Sequence, residues 1–337
     1  MVMNKTISRI FLSTAVILGA GTLLTSCMDD LLDQQPTTEL GSAAFWKTET
    51  DATTALMGAY ADIRPLFDRD YYLDGHGEYV RTRGTSATSG NLRLGDAYQG
   101  ATYNPSGYGS SFDKMYRYLY GGVNRANYVI DNVTAMLPTA SPTSVQNLEA
   151  IIGEARLLRG MIYFRLISMW GDVPYISNIV YDNEEVANIT RTPIAQVKDS
   201  ILADFTYAYE KLPVKGAALG RAGKPAALAF RGKMHLYWAS WNKNGWPELS
   251  TFTPNPSEAQ ASFAAAAADF KSVIEDFGLT LFRNGEPGEI DDLGKADKLP
   301  NYYYLFTPVA NGDAEIIMSF THGGTGTGQG EELMRDV

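Results

Sequence analysis

Between positions 71 and 108 the chain gathers tyrosines beside short polar and charged side chains: Tyr71, Tyr72, Asp74, Arg81, Asn91, Tyr98, Tyr103, Asn104 and Tyr108. Aromatic rings flanked by Asp, Asn and Arg suit a polar, ring-shaped ligand, whose apolar C–H faces lie on the rings while its hydroxyl edges take hydrogen bonds. Asp74, Arg81, Tyr98, Tyr103, Asn104 and Tyr108 are the candidate contacts. Roughly half of the tyrosines are expected to pack the segment itself. Trp246 is a second candidate, because Asn244, Gly245 and Pro247 around it read as a turn that would expose the indole. Trp238 and Trp241, at helical spacing, read as core.

Catalytic spacings are missing. His76, His235 and His322 are far apart in sequence and none belongs to a His-Glu-x-x-His pair, so no metal site is assigned. The glycine run from Gly323 to Gly330 does not fit the dinucleotide-loop spacing, and neither a nucleophile elbow nor a Walker loop occurs, so no cofactor is assigned. The adjacent acids Asp291 and Asp292, and Glu331 and Glu332, read as solvated surface. A glycosidase needs only two carboxylates at a fixed separation. A secreted helical glycan-processing enzyme therefore stays open beside a non-catalytic binder, and no catalytic residue is named. The net charge of −10 argues against nucleic acid, whose binding depends on clustered Lys and Arg.

At the N-terminus, Lys5 and Arg9 precede apolar residues that are interrupted by Ser13, Thr14 and Thr22 and end at Leu24, Thr25, Ser26 and Cys27. The stretch is shorter than the ~20 apolar residues of a spanning helix, and reads as a signal peptide over 1–26. The spacing before Cys27 resembles a bacterial lipobox, and Cys27 is the chain's single cysteine, which assigns it to lipid attachment. Residues 27–41 read as a tether, with Asp29, Asp30 and Asp33 resembling surface-export signals. Residues 42–337 form the remaining domain.

Six amphipathic patterns must position the candidate residues. Ala52, Leu56, Ala59 and Ile63 mark a first helix, expected to stop at Pro65. Phe112, Tyr116, Leu119, Val123, Ala126, Ile130, Val133 and Leu137 mark a second. A third opens near Ser141 or Thr143, with Gln146 as a possible capping-box partner of Thr143, and closes at Gly171. A fourth starts at Pro193 and a fifth near Pro225. The sixth is expected to be capped by Ser257 and to bury Phe263, Ala267, Phe270, Ile274 and Phe277. Gly58, Gly153, Gly160 and Gly232 suggest close helix contacts. Residues 66–110 read as a long irregular loop, and Ile316 to Phe320 as a strand. The fold class is mainly α, a helical array with tetratricopeptide-like pairs and long irregular binding loops, although no clean 34-residue repeat is visible.

The segment from Glu154 to Pro174 resembles the signature helix of the SusD/RagB family of outer-membrane nutrient-capture lipoproteins of Bacteroidetes. Further similarity runs through Phe112 to Asn127, Arg191 to Pro193, Asp204, Leu212 and Pro213, Gly220 to Ala227, and Ala314 to Ser319. The resemblance implies a lipid-anchored protein on the outer membrane that captures glycans or similar oligomers for a SusC-like TonB-dependent transporter. Family members continue well beyond residue 337, so the resemblance also implies truncation at the C-terminus.

Overall fold

The computed structural model describes residues 45–67, 105–246, 252–288 and 299–321, with side chains from Met115 onward in the helix that begins at Pro105. The chain divides into two compact units, Met1–Lys47 and Thr48–Val337. Of the first, only residues 45–47 are described, and everything below concerns the second. The leader, the tether and Cys27 lie outside the described residues.

Among the described residues the α-helices are α1 (Glu49–Phe67), α2 (Pro105–Met136), α3 (Pro142–Trp170), α4 (Ile194–Lys211), α5 (Lys224–Asn244), α6 (Pro256–Glu275) and the short α7 (Asn301–Leu305). Each of α1 to α6 packs on its sequence neighbours, and α3 sits centrally, touching α1, α2, α4 and α5. That position explains its composition: from Ile151 to Ile167 almost every residue is buried, so α3 has no wet face. The array of paired helices expected from the apolar periodicity is the observed architecture. Among the described residues no helix is long and apolar enough to cross a membrane.

Boundaries follow local chemistry, with several departures from expectation. Pro65 does not end α1, which continues to Phe67. Its ring is exposed and in the last turn only one backbone hydrogen bond is lost, while Leu66 and Phe67 find packing partners. At the other end of the expected loop, residues 105–110 are helical, because Pro105 starts α2 and elongation from an established helix is cheap. Ser141, not Thr143, caps α3, its hydroxyl accepting the Ser144 N–H at 3.2 Å. Asn255, not Ser257, caps α6. Helix α4 lacks a local side-chain cap, and the Ile194 N–H donates instead to Asp172 Oδ1 at 2.8 Å.

On α6 the buried stripe is Ala259, Ser262, Ala266, Asp269 and Val273, one step round from the expected phenylalanines, and Ile274 is 71% exposed. Small residues let α6 approach α5, so the large apolar side chains mark the edge of the contact. The glycines divide accordingly. Gly58 faces open space and Gly153 makes ordinary contact, whereas a Cβ on Gly160 would lie 2.6 Å from the Phe205 ring and one on Gly232 would lie 2.8 Å from the Phe270 ring.

Those last two contacts belong to an internal repeat. Arg159 and Gly160 on α3 face Asp204 and Phe205 on α4; Arg231 and Gly232 on α5 face Asp269 and Phe270 on α6. The register extends along both helices: Val197, Ile201 and Ala208 of α4 are buried at the places that Ser262, Ala266 and Val273 occupy on α6. In each copy the guanidinium grips the carboxylate with two bonds, at 2.8 and 2.7 Å for Arg159 and at 2.8 and 2.6 Å for Arg231. The first copy is deeper. Arg159 also donates to Asn127 Oδ1 at 2.8 Å, which draws α2 into the network. Burial opposes its charge, but the hydrogen bonds to Asp204 and that carboxylate's charge hold the guanidinium above its ordinary pKa.

A short 3-10 helix, Pro308–Ala310, and turns follow α7, and Ile316 to Phe320 is not a strand: it runs as a single strap without a sheet partner among the described residues. The Ser319 N–H donates to the Gly220 carbonyl at 3.2 Å and Phe320 stacks on Phe67 at 5.6 Å. Gly220 has φ of +82°, and a Cβ there would meet the Ser319 carbonyl at 2.5 Å, so the strap requires glycine beneath it. Beside it, buried Glu154 accepts the Tyr60 hydroxyl at 2.8 Å and Arg221 Nε at 2.9 Å, tying α1 and α3 to the loop before α5.

Candidate functional site

Helix α5 ends in an aromatic cluster that carries Trp246 into solvent. Gly245 caps the helix with φ of +65°, its N–H bonded to the Trp241 carbonyl at 2.7 Å. A Cβ at Gly245 would press on Pro254 at 2.7 Å and on the Phe252 carbonyl at 3.0 Å, so only glycine lets the chain fold back here. The Trp246 N–H then donates to the Phe252 carbonyl at 3.0 Å and the Asn255 N–H to the Asn242 carbonyl at 2.7 Å. Two backbone bonds therefore tie the end of α5 to residues 252–255.

The ring of Trp246 stacks on Trp241 with centroids 5.0 Å apart and planes 25° from parallel. Trp241 is itself wedged edge-on by Phe252 at 5.9 Å and Tyr237 at 6.0 Å, and Tyr237 rests on Phe164 of α3 at 5.3 Å. One indole face is thus held from behind by packed rings, and Trp246 is 41% exposed. Burial pushes the Tyr237 hydroxyl up to about 12, so it is a neutral group at physiological pH. Trp238, expected in the core, is buried and donates its indole N–H to Glu258 at 2.9 Å; Trp241, also expected there, is half-buried. Exposed Lys243 and Asn244 in the last turn of α5 add polar groups next to the platform in sequence. A rigid flat apolar face with polar neighbours can take the C–H face of a ring-shaped ligand.

Of the other sequence candidates, Asp74, Arg81, Tyr98, Tyr103 and Asn104 lie outside the described residues. Tyr108 falls within α2 instead of a loop, and its side chain is not described. Two sites of interest were missed in the sequence. The first is the exposed aromatic edge Tyr302, Phe306 and Val309, at helical spacing on and just after α7, with Tyr302 and Phe306 meeting at 5.1 Å. The second is the neighbouring turn at Arg283 and Asn284, both non-glycine residues with positive φ; Arg283 lies over the Tyr304 ring at 5.0 Å and donates to Asn301 at 2.7 Å. The run Asn301 to Phe306 was the available signal for both. Among the described residues, no group of three or more His, Cys, Asp or Glu side chains could hold a metal ion. His235, on α5, is half-buried, and burial lowers its pKa.

The family model described as starch-binding associating with outer membrane matches residues 32–236. The chain belongs to the SusD-like family. A SusD-like protein of Bacteroides ovatus is 27% identical over 289 residues, covering 82% of this chain and 47% of the relative. SusD-like protein P25 of Formosa agariphila is 23% identical, covering 65% and 42%. The SusD-like chain therefore spans less than half the length of these curated relatives. Among solved structures, a SusD homologue from Bacteroides thetaiotaomicron aligns with a TM-score of 0.56 at 22% identity, over 72% of this chain and 44% of that one. A laminarin-binding SusD-like protein aligns with a TM-score of 0.50 at 23% identity, over 73% and 45%. These likenesses carry the fold. The SusD-like match ends within α5, ahead of Trp241 and Trp246.

Proposed function

We propose that this SusD-like chain is a surface lipoprotein that captures glycans or similar polar oligomers without cleaving them and passes them to a SusC-like TonB-dependent transporter in the outer membrane. The observation that carries the reading is the Trp246 face, exposed and backed by Trp241. Asp74, Arg81, Tyr98, Tyr103, Asn104 and Tyr108 are proposed as further contacts. Family membership supports a role at the outer membrane, and the neighbour named for laminarin binding puts β-glucans in the test panel.

Trp246→Ala should weaken binding of a recognised oligosaccharide about ten-fold, equivalent to ~1.4 kcal/mol, with an unchanged helical circular dichroism spectrum. Full-strength binding by the folded variant would move the site to the loop residues. Release of reducing sugar by the purified protein would favour the glycan-processing enzyme instead. The anchor is tested separately. Acylated Cys27 would carry more than one chain, as stable attachment needs. Cys27→Ala should shift the protein from the membrane fraction to the soluble one, and a variant that stays membrane-bound in high salt would refute the assignment.

A further inference from the structure

The second copy of the internal repeat shows which parts of the first copy the helix pairing itself requires. In the register that sets Arg159 on Arg231 and Asp204 on Asp269, Arg156 falls on Leu228, Tyr207 on Ser272 and Lys211 on Asp276. Leu228 is 2% exposed, so the second helix pair closes around an apolar side chain at this position. The first copy carries a cation there that the pairing of the helices does not need.

That cation is held in place yet leaves its donors unused. Arg159 already takes both oxygens of Asp204, at 2.8 and 2.7 Å, and Arg156 approaches the same carboxylate only to 3.8 Å, beyond hydrogen-bond reach. Arg156 Nε is sealed from solvent and has no hydrogen-bond partner among the described residues. What positions the guanidinium is the Tyr207 ring, whose centroid is 4.2 Å from its central carbon. Lys211 lies 6.0 Å from the same centroid and pairs with Glu149 at 2.8 Å. Among these groups Arg156, Arg159 and Lys211 stand against Asp204 and Glu149, a surplus of one positive charge in a chain whose net charge is −10. Glu210 also acts on Tyr207, but it is exposed and water screens it. The Arg156 side chain as a whole is 31% exposed, which leaves its outer edge open to a ligand.

We propose that Arg156 anchors a monocarboxylate site between α3 and α4, and that its ligand is the carboxylate of a uronic acid in an acidic glycan. A planar guanidinium held by ring stacking offers its fork to one carboxylate with bidentate geometry. One surplus charge matches one carboxylate. The choice of a sugar acid rests on the glycan-capture reading; the anion site does not, and it shares no residue with the Trp246 platform.

The full chain is titrated calorimetrically with a short galacturonate oligomer, with the same oligomer methyl-esterified, and with acetate. Esterification keeps the sugar rings and removes the charge. Saturable binding of the free acid is expected, weakened about ten-fold or more both by esterification and by Arg156→Leu, since hydrogen bonds to charged groups are the strong ones. Leucine is the residue that the second copy carries here, so the variant should fold, and its melting curve checks this. Arg156→Lys keeps the charge but loses the fork, and should also bind the acid less tightly than wild type. If Arg156→Leu melts early, the lysine variant and the ester decide. No binding of the acid, equal binding of acid and ester, or undiminished binding by a folded Arg156 variant would overturn the proposal. Acetate bound as tightly as the oligomer would make this a general anion site and refute the sugar ligand. The capture of neutral glycans stands or falls separately, because Arg156→Leu should bind a neutral oligosaccharide as wild type does.

Discussion

Asp204→Ala is expected to destabilise the helical unit by about 3–5 kcal/mol, because it leaves the Arg159 guanidinium buried without its counter-charge. The Arg159 and Asp204 side chains are 5% and 4% exposed, so water cannot take over the lost bonds. The same substitution in the second copy provides an internal control. Arg231 and Asp269 are 20% and 9% exposed, and Asp269→Ala should cost clearly less, since Arg231 can reach solvent. Denaturant melts of the two variants give the comparison. Replacing both Arg159 and Asp204 with apolar residues of matching volume should recover much of the loss, because a buried pair contributes little net stability over good packing. An Asp269→Ala variant as damaged as Asp204→Ala would show that burial is not what sets the cost.

Gly160→Leu is the second large effect. A Cβ at this position would sit 2.6 Å from Phe205 Cε1, and Phe205 is fully buried, so the ring cannot swing away. The strain should cost about 1–3 kcal/mol, at the upper end for so short a contact. Gly232→Leu meets Phe270 at 2.8 Å, but that ring is half-buried and can turn, so the loss should be smaller. Gly58→Ala should go the other way, raising stability by about 0.5–1 kcal/mol, because nothing lies within 4 Å and alanine restricts the unfolded chain. Thermal melts of the three variants should rank Gly160→Leu lowest and Gly58→Ala above wild type. An unchanged Gly160→Leu would place that glycine on an open face.

Helices were legible in the sequence wherever a helix buries one stripe, since spacing then reports directly on packing. Leu119, Val123, Ala126, Ile130 and Val133 of α2 are all buried as their spacing implies. Legibility failed where size and burial part company. On α6 the interface is built from Ser262, Ala266 and Asp269, small or paired residues that no hydrophobic pattern selects, while Ile274 faces water. Proline was overweighted at position 65 because its cost depends on whether the lost bond lies in the helix interior or the last turn. The repeat escaped a fixed-period search for a related reason: different loops make the α3-to-α5 and α4-to-α6 shifts unequal. The shared dipeptides Arg-Gly and Asp-Phe were the usable signal. Trp246 was readable because its glycine and proline neighbours already encode a turn. The stack on Trp241 was not readable, since it depends on how the chain folds back from Phe252 to Asn255.

Non-catalytic capture of a glycan is the centre of the account. Its most direct test is calorimetric titration of the purified chain with a panel of oligosaccharides that includes laminarin fragments and, for contrast, peptides, with each sugar recovered afterwards and analysed by chromatography. The account predicts saturable binding of at least one oligosaccharide, recovered at its original length. No binding to any sugar in the panel, or recovery of shortened products, would contradict it.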